Sequence, residues 1–175
     1  MRVFFIAVLS ANGKISRSHT ASVDWNSEAD LKWFKDITTK AGVVVMGRRT
    51  FETLKSPLPK RLNVVMTHNP SHEEIPNVMF TDVLPDNLIK TLEKRGYNSV
   101  AIVGGQSIFT LFLKEKLVDE MYLTYEPIIF DGIDLFSDLN GDVKMKMINV
   151  KILDSGAVVV HYKIMYLENE YGKRV

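Results

Sequence analysis

The sequence predicts a single α/β domain built on a mixed, mainly parallel central sheet of about eight strands flanked by helices, and three observations predict it. Apolar, β-branched runs alternate with amphipathic stretches through most of the chain, as in strands joined by helical crossovers. Two of those runs, Val43–Met46 and Val100–Val103, break at glycine directly before a helical stretch. The last third turns to strand-like segments ending in a hairpin signal, so the sheet ends antiparallel.

The elements follow in order. Val3–Leu9 reads as the first core strand; it is far too short to span a bilayer and lacks the small-residue cleavage site of a secretory signal. Ser27 caps a helix running to about Thr39, with Asp30 three positions later in the place of a capping-box acid. The strand Val43–Met46 precedes a short helix, Arg49–Leu54, and the strands Leu62–Met66 and Asn77–Phe80 follow. A helix at Pro85–Arg95 leads to the strand Val100–Val103, and a helix at Gln106–Lys116 to the strand Glu120–Glu126. The strands Lys144–Leu153 and Ala157–Tyr166 are joined by the turn Asp154-Ser155-Gly156, an antiparallel C-terminal hairpin. Residues 1–167 make one domain, and the polar tail 168–175 is expected to fray.

Bulk properties narrow the function. At 175 residues the chain has room for one substantial core. With 22 basic and 21 acidic residues, a net charge of +1 and no run of like charge, nothing points to nucleic acid or an anionic membrane. The expected partner is a small molecule. The absence of cysteine excludes disulfides, thiolate zinc sites and cysteine nucleophiles, and fits a reducing cytoplasm. His19, His68, His72 and His161 lack metal-ligand spacing, so no metal is expected, and no local signature suggests a Ser-His-Asp hydrolase. Apolar residues in the segment 126–136 and the strand at Lys144 offer a homodimer surface, so monomer and homodimer both stand.

Three turns and one acid carry possible chemistry. Val43-Val-Val-Met-Gly-Arg-Arg-Thr-Phe-Glu52 is a strand that breaks at Gly47 and opens into a helix start with Arg48 and Arg49 beside it, either a phosphate pocket or a tight turn. Val100-Ala-Ile-Val-Gly-Gly-Gln-Ser107 repeats the logic: Gly104 and Gly105 let a pyrophosphate sit against the backbone, or let helix and strand pack closely. The full dinucleotide fingerprint of three spaced glycines is missing. Thr67 and His68, at the end of a third strand, fall on the same edge, where open α/β sheets bind ligands; His68 is a ligand contact or an idle turn residue. Asp30, among Leu31, Trp33 and Phe34, either joins Glu28 in complementing the helix dipole in solvent or is a cleft carboxylate able to accept two bonds from a nitrogen heterocycle.

Four segments in register carry a resemblance: Trp25-Asn26-Ser-Glu-Ala-Asp30-Leu-Lys-Trp-Phe34, Val-Val-Met46-Gly-Arg-Arg-Thr-Phe-Glu52, Pro57-Leu-Pro-Lys-Arg61-Leu-Asn-Val-Val-Met-Thr67 and Val103-Gly-Gly-Gln106. From Val3 to about Phe136 the chain resembles the dihydrofolate reductase family. The resemblance implies NADPH-dependent reduction of 7,8-dihydrofolate to tetrahydrofolate in one-carbon metabolism, with hydride passing from nicotinamide C4 to pterin C6. It makes Asp30 the pterin-binding acid that promotes N5 protonation, and Thr124 the threonine that bridges to that acid through water. Ile6, Ala7, Val8, Phe34, Leu54, Leu58 and Val103 match the substrate pocket, and Arg61 matches the arginine that binds the folate carboxylate. On the cofactor side, Gly47, Arg48, Arg49 and Thr50 match one phosphate turn, Thr67 and His68 the 2′-phosphate site, and Gly104, Gly105, Gln106 and Ser107 the pyrophosphate turn. Ile15 matches the flexible-loop residue beside the nicotinamide, and Phe109 stands where many reductases place a tyrosine near the reacting ring. The charge of Arg48 and Arg49 would favour NADPH over NADH.

The departures set the alternatives. Asp24 replaces the proline that often precedes the tryptophan, Ser107 replaces a frequent arginine, and Ile133 follows Gly132 where an aspartate commonly ties the flexible loop. Ser10-Ala-Asn-Gly-Lys-Ile15 resembles the loop of riboflavin-pathway reductases, which share the fold and NADPH but reduce a ribosylaminopyrimidine phosphate. A free-standing reductase of that kind is the second reading, since lack of cysteine excludes its fusion to a zinc deaminase. A non-catalytic NADPH-binding module is the third.

Overall fold

The computed structural model describes residues 1–70, 74–167 and 174. In chain order the elements are β1 (Arg2–Ser10), β2 (Lys14–Ser16), α1 (Glu28–Ala41), β3 (Val43–Gly47), α2 (Arg48–Glu52), β4 (Leu62–Met66) and β5 (Val78–Thr81). They continue as α3 (Pro85–Lys94), β6 (Ser99–Gly104), α4 (Gln106–Lys114), β7 (Glu120–Glu126), β8 (Ile133–Asp134), β9 (Met145–Ile152) and β10 (Val158–Ile164). An 8-stranded sheet has the order β5-β4-β3-β6-β1-β7-β10-β9. Neighbours from β5 to β7 are parallel; β10 is antiparallel to both β7 and β9 and so runs alone against the rest.

Alternation along the strands explains three layers. Phe5, Val43, Val45 and Ile102 pack with Leu88 and Leu92 of α3 and Phe109 and Phe112 of α4. Phe4, Ile6, Val44 and Met46 pack on the other face with Trp33, Phe34 and Ile37 of α1. Strands buried on both faces read as unbroken apolar runs, which is why Val43–Met46 is wholly apolar and 0% exposed. Each such side chain contributes about 1.5–3 kcal/mol on burial.

One feature departs from the sequence reading. β2 and β8 form a small antiparallel sheet that no run of β-formers announces, Lys14 lying opposite Asp134 and Ser16 opposite Ile133. β9 occupies the sheet edge with every residue exposed, and Leu153 just after it is buried with Ala157 and Val159. The tail 168–175 lies outside the described residues except Arg174, whose guanidinium bonds the Asp119 carboxylate. Among the described residues no helix is long and apolar enough to cross a membrane.

The chain order places the site. From β1 the chain crosses by α1 to β3 on one side; from β6 it crosses by α4 to β7 on the other. Crossovers leaving in opposite directions open a crevice at the carboxyl ends of β1, β3 and β6.

Candidate functional site

A cleft of about 1310 Å³ occupies that crevice. Ile6, Ala7 and Val8 of β1 and Val103 of β6 line it, with Phe34 of α1 and Leu54, Leu58 and Arg61 from around the loop after α2. The other side is formed by Gly47 and the α2 residues Arg48, Arg49 and Thr50, by Thr67 and His68 after β4, and by Gly104 to Ser107 with Phe109. Ile15 of β2 also lines it. Thr124 does not line the cleft; it is 1% exposed on β7, behind Asp30.

Asp30 owes its position to the start of α1. Ser27 is the N-cap, its hydroxyl accepting from the Asp30 amide at 3.2 Å. In a closed capping box the acid at this position would accept in return from the Ser27 amide. Here it does not. The Ser27 amide donates instead to Glu126 Oε1 at 2.8 Å, and the Ser27 hydroxyl donates to the same oxygen at 2.6 Å. The Asp30 carboxylate accepts from Asn26 Nδ2 at 3.0 Å and reaches the cleft with Asp30 only 4% exposed. Burial pushes its pKa above the usual carboxylate value; Asn26 and Thr124 oppose the rise and the Glu126 charge adds to it. The Thr124 hydroxyl favours the charged form from nearby, yet it is buried without a direct hydrogen-bond partner of good geometry among the described residues. Such an orphaned hydroxyl suits a water-mediated link.

Arg61 supplies the opposite charge. It is 5% exposed, donates Nε to Pro59 O at 2.9 Å and a second nitrogen to Thr38 Oγ1, and makes no ion pair among the described residues. Burial lowers its pKa, but a guanidinium stays charged at neutral pH. A buried cation without a carboxylate is costly unless a ligand supplies one. Beneath it, fully buried Asn63 exchanges two bonds of 2.9 Å with the backbone of Leu58 and so fixes the loop carrying Leu58 and Pro59.

The facing wall is made of backbone. A Cβ added at Gly47 would stand 3.1 Å from Ile108, at Gly104 3.1 Å from Phe109, and at Gly105 3.2 Å from Thr50 Oγ1. Gly104 also has φ +116, a region L side chains rarely enter. Gly105 caps α4 without any side-chain hydrogen bond, leaving the first helical amides to a ligand. Arg48 Nε pairs with Glu52 at 2.8 Å, an exposed contact that an anion can outcompete. Phe109 is mostly core at 2% exposure, stacked edge-on against Phe5. The backbone wall and its arginines suit a polyanionic dinucleotide.

The segment carrying Ile15 is tied by means the sequence did not disclose. The β2–β8 ladder holds it, with an ion pair of 2.6 Å between Lys14 and Asp134. At Gly132 an added Cβ would fall 2.0 Å from Ser16 O, so the two strips touch backbone to backbone. The Gln106 amide donates to Asp134 O at 3.0 Å and Phe136 O at 3.3 Å, committing its side chain to this strip.

Glu126, Asn26, Thr38 and Asn63 are the site residues that sequence reading missed. The only signal for Glu126 was its alternation with Thr124, which puts both on one face of β7. No group of three or more possible metal ligands occurs among the described residues.

The chain matches the family model described as dihydrofolate reductase over residues 2–151. It is 31% identical to a dihydrofolate reductase of Haemophilus influenzae over 140 residues, 80% of this chain and 81% of that one. Among solved structures, it superposes with a TM-score of 0.74 and 24% identity on the Enterococcus faecalis dihydrofolate reductase complexed with NADP(H) and RAB-propyl, covering 93% of this chain and 96% of that one. It also superposes with a TM-score of 0.74 and 21% identity on a putative riboflavin biosynthesis protein from Shewanella sp. PV-4, covering 94% and 99%.

Proposed function

Because the chain belongs to the dihydrofolate reductase family and is thus an oxidoreductase using a nicotinamide cofactor, we propose that it reduces 7,8-dihydrofolate to tetrahydrofolate with NADPH. The observation that carries this reading is a buried acid, Asp30, in the same cleft as a buried guanidinium, Arg61, that makes no ion pair among the described residues. A pterin tail ending in a carboxylate, with paired N–H donors at its other end, satisfies both charges at once.

When bound, the cofactor supplies the hydride. The chain's own residues do the rest. Asp30 accepts the pterin N–H donors and, with its raised pKa, favours protonation at N5 of the substrate. Ile6, Ala7, Val8, Phe34, Leu54, Leu58 and Val103 exclude water from the ring. Arg61 anchors the carboxylate tail, while Gly104, Gly105 and Ser107 receive the pyrophosphate and Arg48, Arg49, Thr50, Thr67 and His68 the remaining phosphates.

The riboflavin-pathway pyrimidine is the second reading, favoured by the loop Ser10–Ile15, whose Ser10 hydroxyl accepts from the Lys14 amide at 2.9 Å and donates to Asn12 at 2.7 Å. The deciding assay follows NADPH absorbance with each substrate, for wild type and Asp30→Asn. Dihydrofolate turnover that collapses in the variant while NADPH binding persists supports the first reading. Oxidation with the pyrimidine alone moves the assignment to the second, and silence with both leaves a binding module.

A further inference from the structure

Glu126 ends β7 as a carboxylate only 5% exposed, and it spends one oxygen on both donors of Ser27. Burying an acid is expensive, so a glutamate here calls for a reason. The reason lies in what it displaces. Ser27 and Asp30 have the residue types and spacing of a capping box, and half of the box is formed, with the Asp30 amide bonded to the Ser27 hydroxyl. The reciprocal half would draw the Asp30 carboxylate back onto the Ser27 amide and out of the cleft. Glu126 occupies that amide.

We propose that Glu126 is a positioning residue which, by taking the Ser27 amide and hydroxyl from the neighbouring strand, keeps Asp30 out of a closed capping box and directed into the cleft. Glu126 touches no substrate; it acts through Ser27. The inference rests on the reductase reading for its catalytic consequence but not for its geometry. Asn26 from its own turn and Thr124 and Glu126 from β7 are the groups that bear on Asp30, and Glu126 alone among them carries charge. Its charge therefore also biases when Asp30 ionises.

Two substitutions separate shape from charge. Glu126→Gln keeps an acceptor oxygen for Ser27 and removes the charge; Glu126→Ala removes both. The first measurement is a carbon-13 NMR titration of the aspartate carboxyls in the ligand-free protein, with the Asp30 signal identified by its loss in Asp30→Asn. The Asp30 midpoint is expected to move to lower pH in Glu126→Gln. The second is dihydrofolate turnover, expected to fall about ten- to a hundredfold in Glu126→Ala, mainly in kcat, and to be largely restored by glutamine at the same position. The high-pH limb of the profile should move down in Glu126→Gln, which loss of packing alone would not produce. An Asp30 midpoint that is the same in Glu126→Ala as in Glu126→Gln, two variants that differ only in the Ser27 acceptor and its shape, or wild-type kcat in Glu126→Ala, would overturn the proposal. If the alanine variant does not fold, Glu126→Met, which keeps the volume and removes the acceptor, takes its place in both measurements. If wild type turns over no dihydrofolate, the reductase reading fails while the titration still decides the role of Glu126.

Discussion

The two walls of the cleft solve opposite problems with opposite materials. On the side proposed for the substrate the features are two buried charged side chains, Asp30, held by Asn26 and the Ser27 cap, and Arg61, held by Thr38 of α1. On the side proposed for the cofactor the feature is main chain brought close by Gly47, Gly104 and Gly105. A ring with a defined hydrogen-bond pattern needs aimed charges in a dry pocket, whereas a phosphate chain needs only exposed amides and mobile cations. Damage to the first wall should therefore be chemical, and damage to the second conformational.

The sharpest break of that contrast is Asp30→Asn, expected to lower dihydrofolate turnover by about a thousandfold with NADPH affinity within a few-fold, read by stopped-flow hydride transfer and by fluorescence titration. Gly104→Ala tests the other wall: a side chain at φ +116 and 3.1 Å from Phe109 should cost about 2–3 kcal/mol in urea unfolding. Next comes Arg61→Leu, expected to raise the KM for dihydrofolate by about thirtyfold while sparing kcat, because it removes uniform binding of a carboxylate. Arg48→Gln should reduce the preference for NADPH over NADH by about tenfold, an effect that shrinks with added salt. The smallest effect concerns stability. Asp30 has a folded-state pKa raised above its usual 3.8, so the wild type loses stability as pH rises through that folded value, whereas below 3.8 the carboxyl is neutral in both states and carries no such loss. Asp30→Asn should then melt higher than wild type at neutral pH, by about 1 kcal/mol, with the gain vanishing in acid; a pH series of thermal melts reads it.

The same contrast explains what could be read from the chain. The cofactor wall is local: strand, glycine and helix start follow one another within a few residues, and Gly47, Gly104 and Gly105 stand where that grammar puts them. The substrate wall is only half local. The Ser27 cap and its spacing to Asp30 were legible, but Glu126 lies 99 positions from Ser27, and no pattern along the chain connects them. Arg61 was visible as a charge, not as one buried against Thr38 across 23 positions. β2 and β8 escaped because strands of three and two residues are fixed by their surroundings rather than by their own preference. β9 read as a strand whose apolar residues offer a surface, and the structure puts it at the sheet edge with every residue exposed.

Gly132 sets a limit on how this chain can vary. Added side chains at Gly13, Gly96, Gly141 and Gly156 would meet nothing within 4 Å, so substitution there costs only a strained backbone, about 1 kcal/mol. At Gly132 the first carbon of any side chain would land on the carbonyl of Ser16, 2.0 Å away, and main chain cannot swing aside as a side-chain tip can. In a saturation library grown under selection for turnover, that codon would be purged to a single amino acid while its neighbours drift. The contact between the β2 and β8 strips thus depends on a residue that contributes no side chain at all.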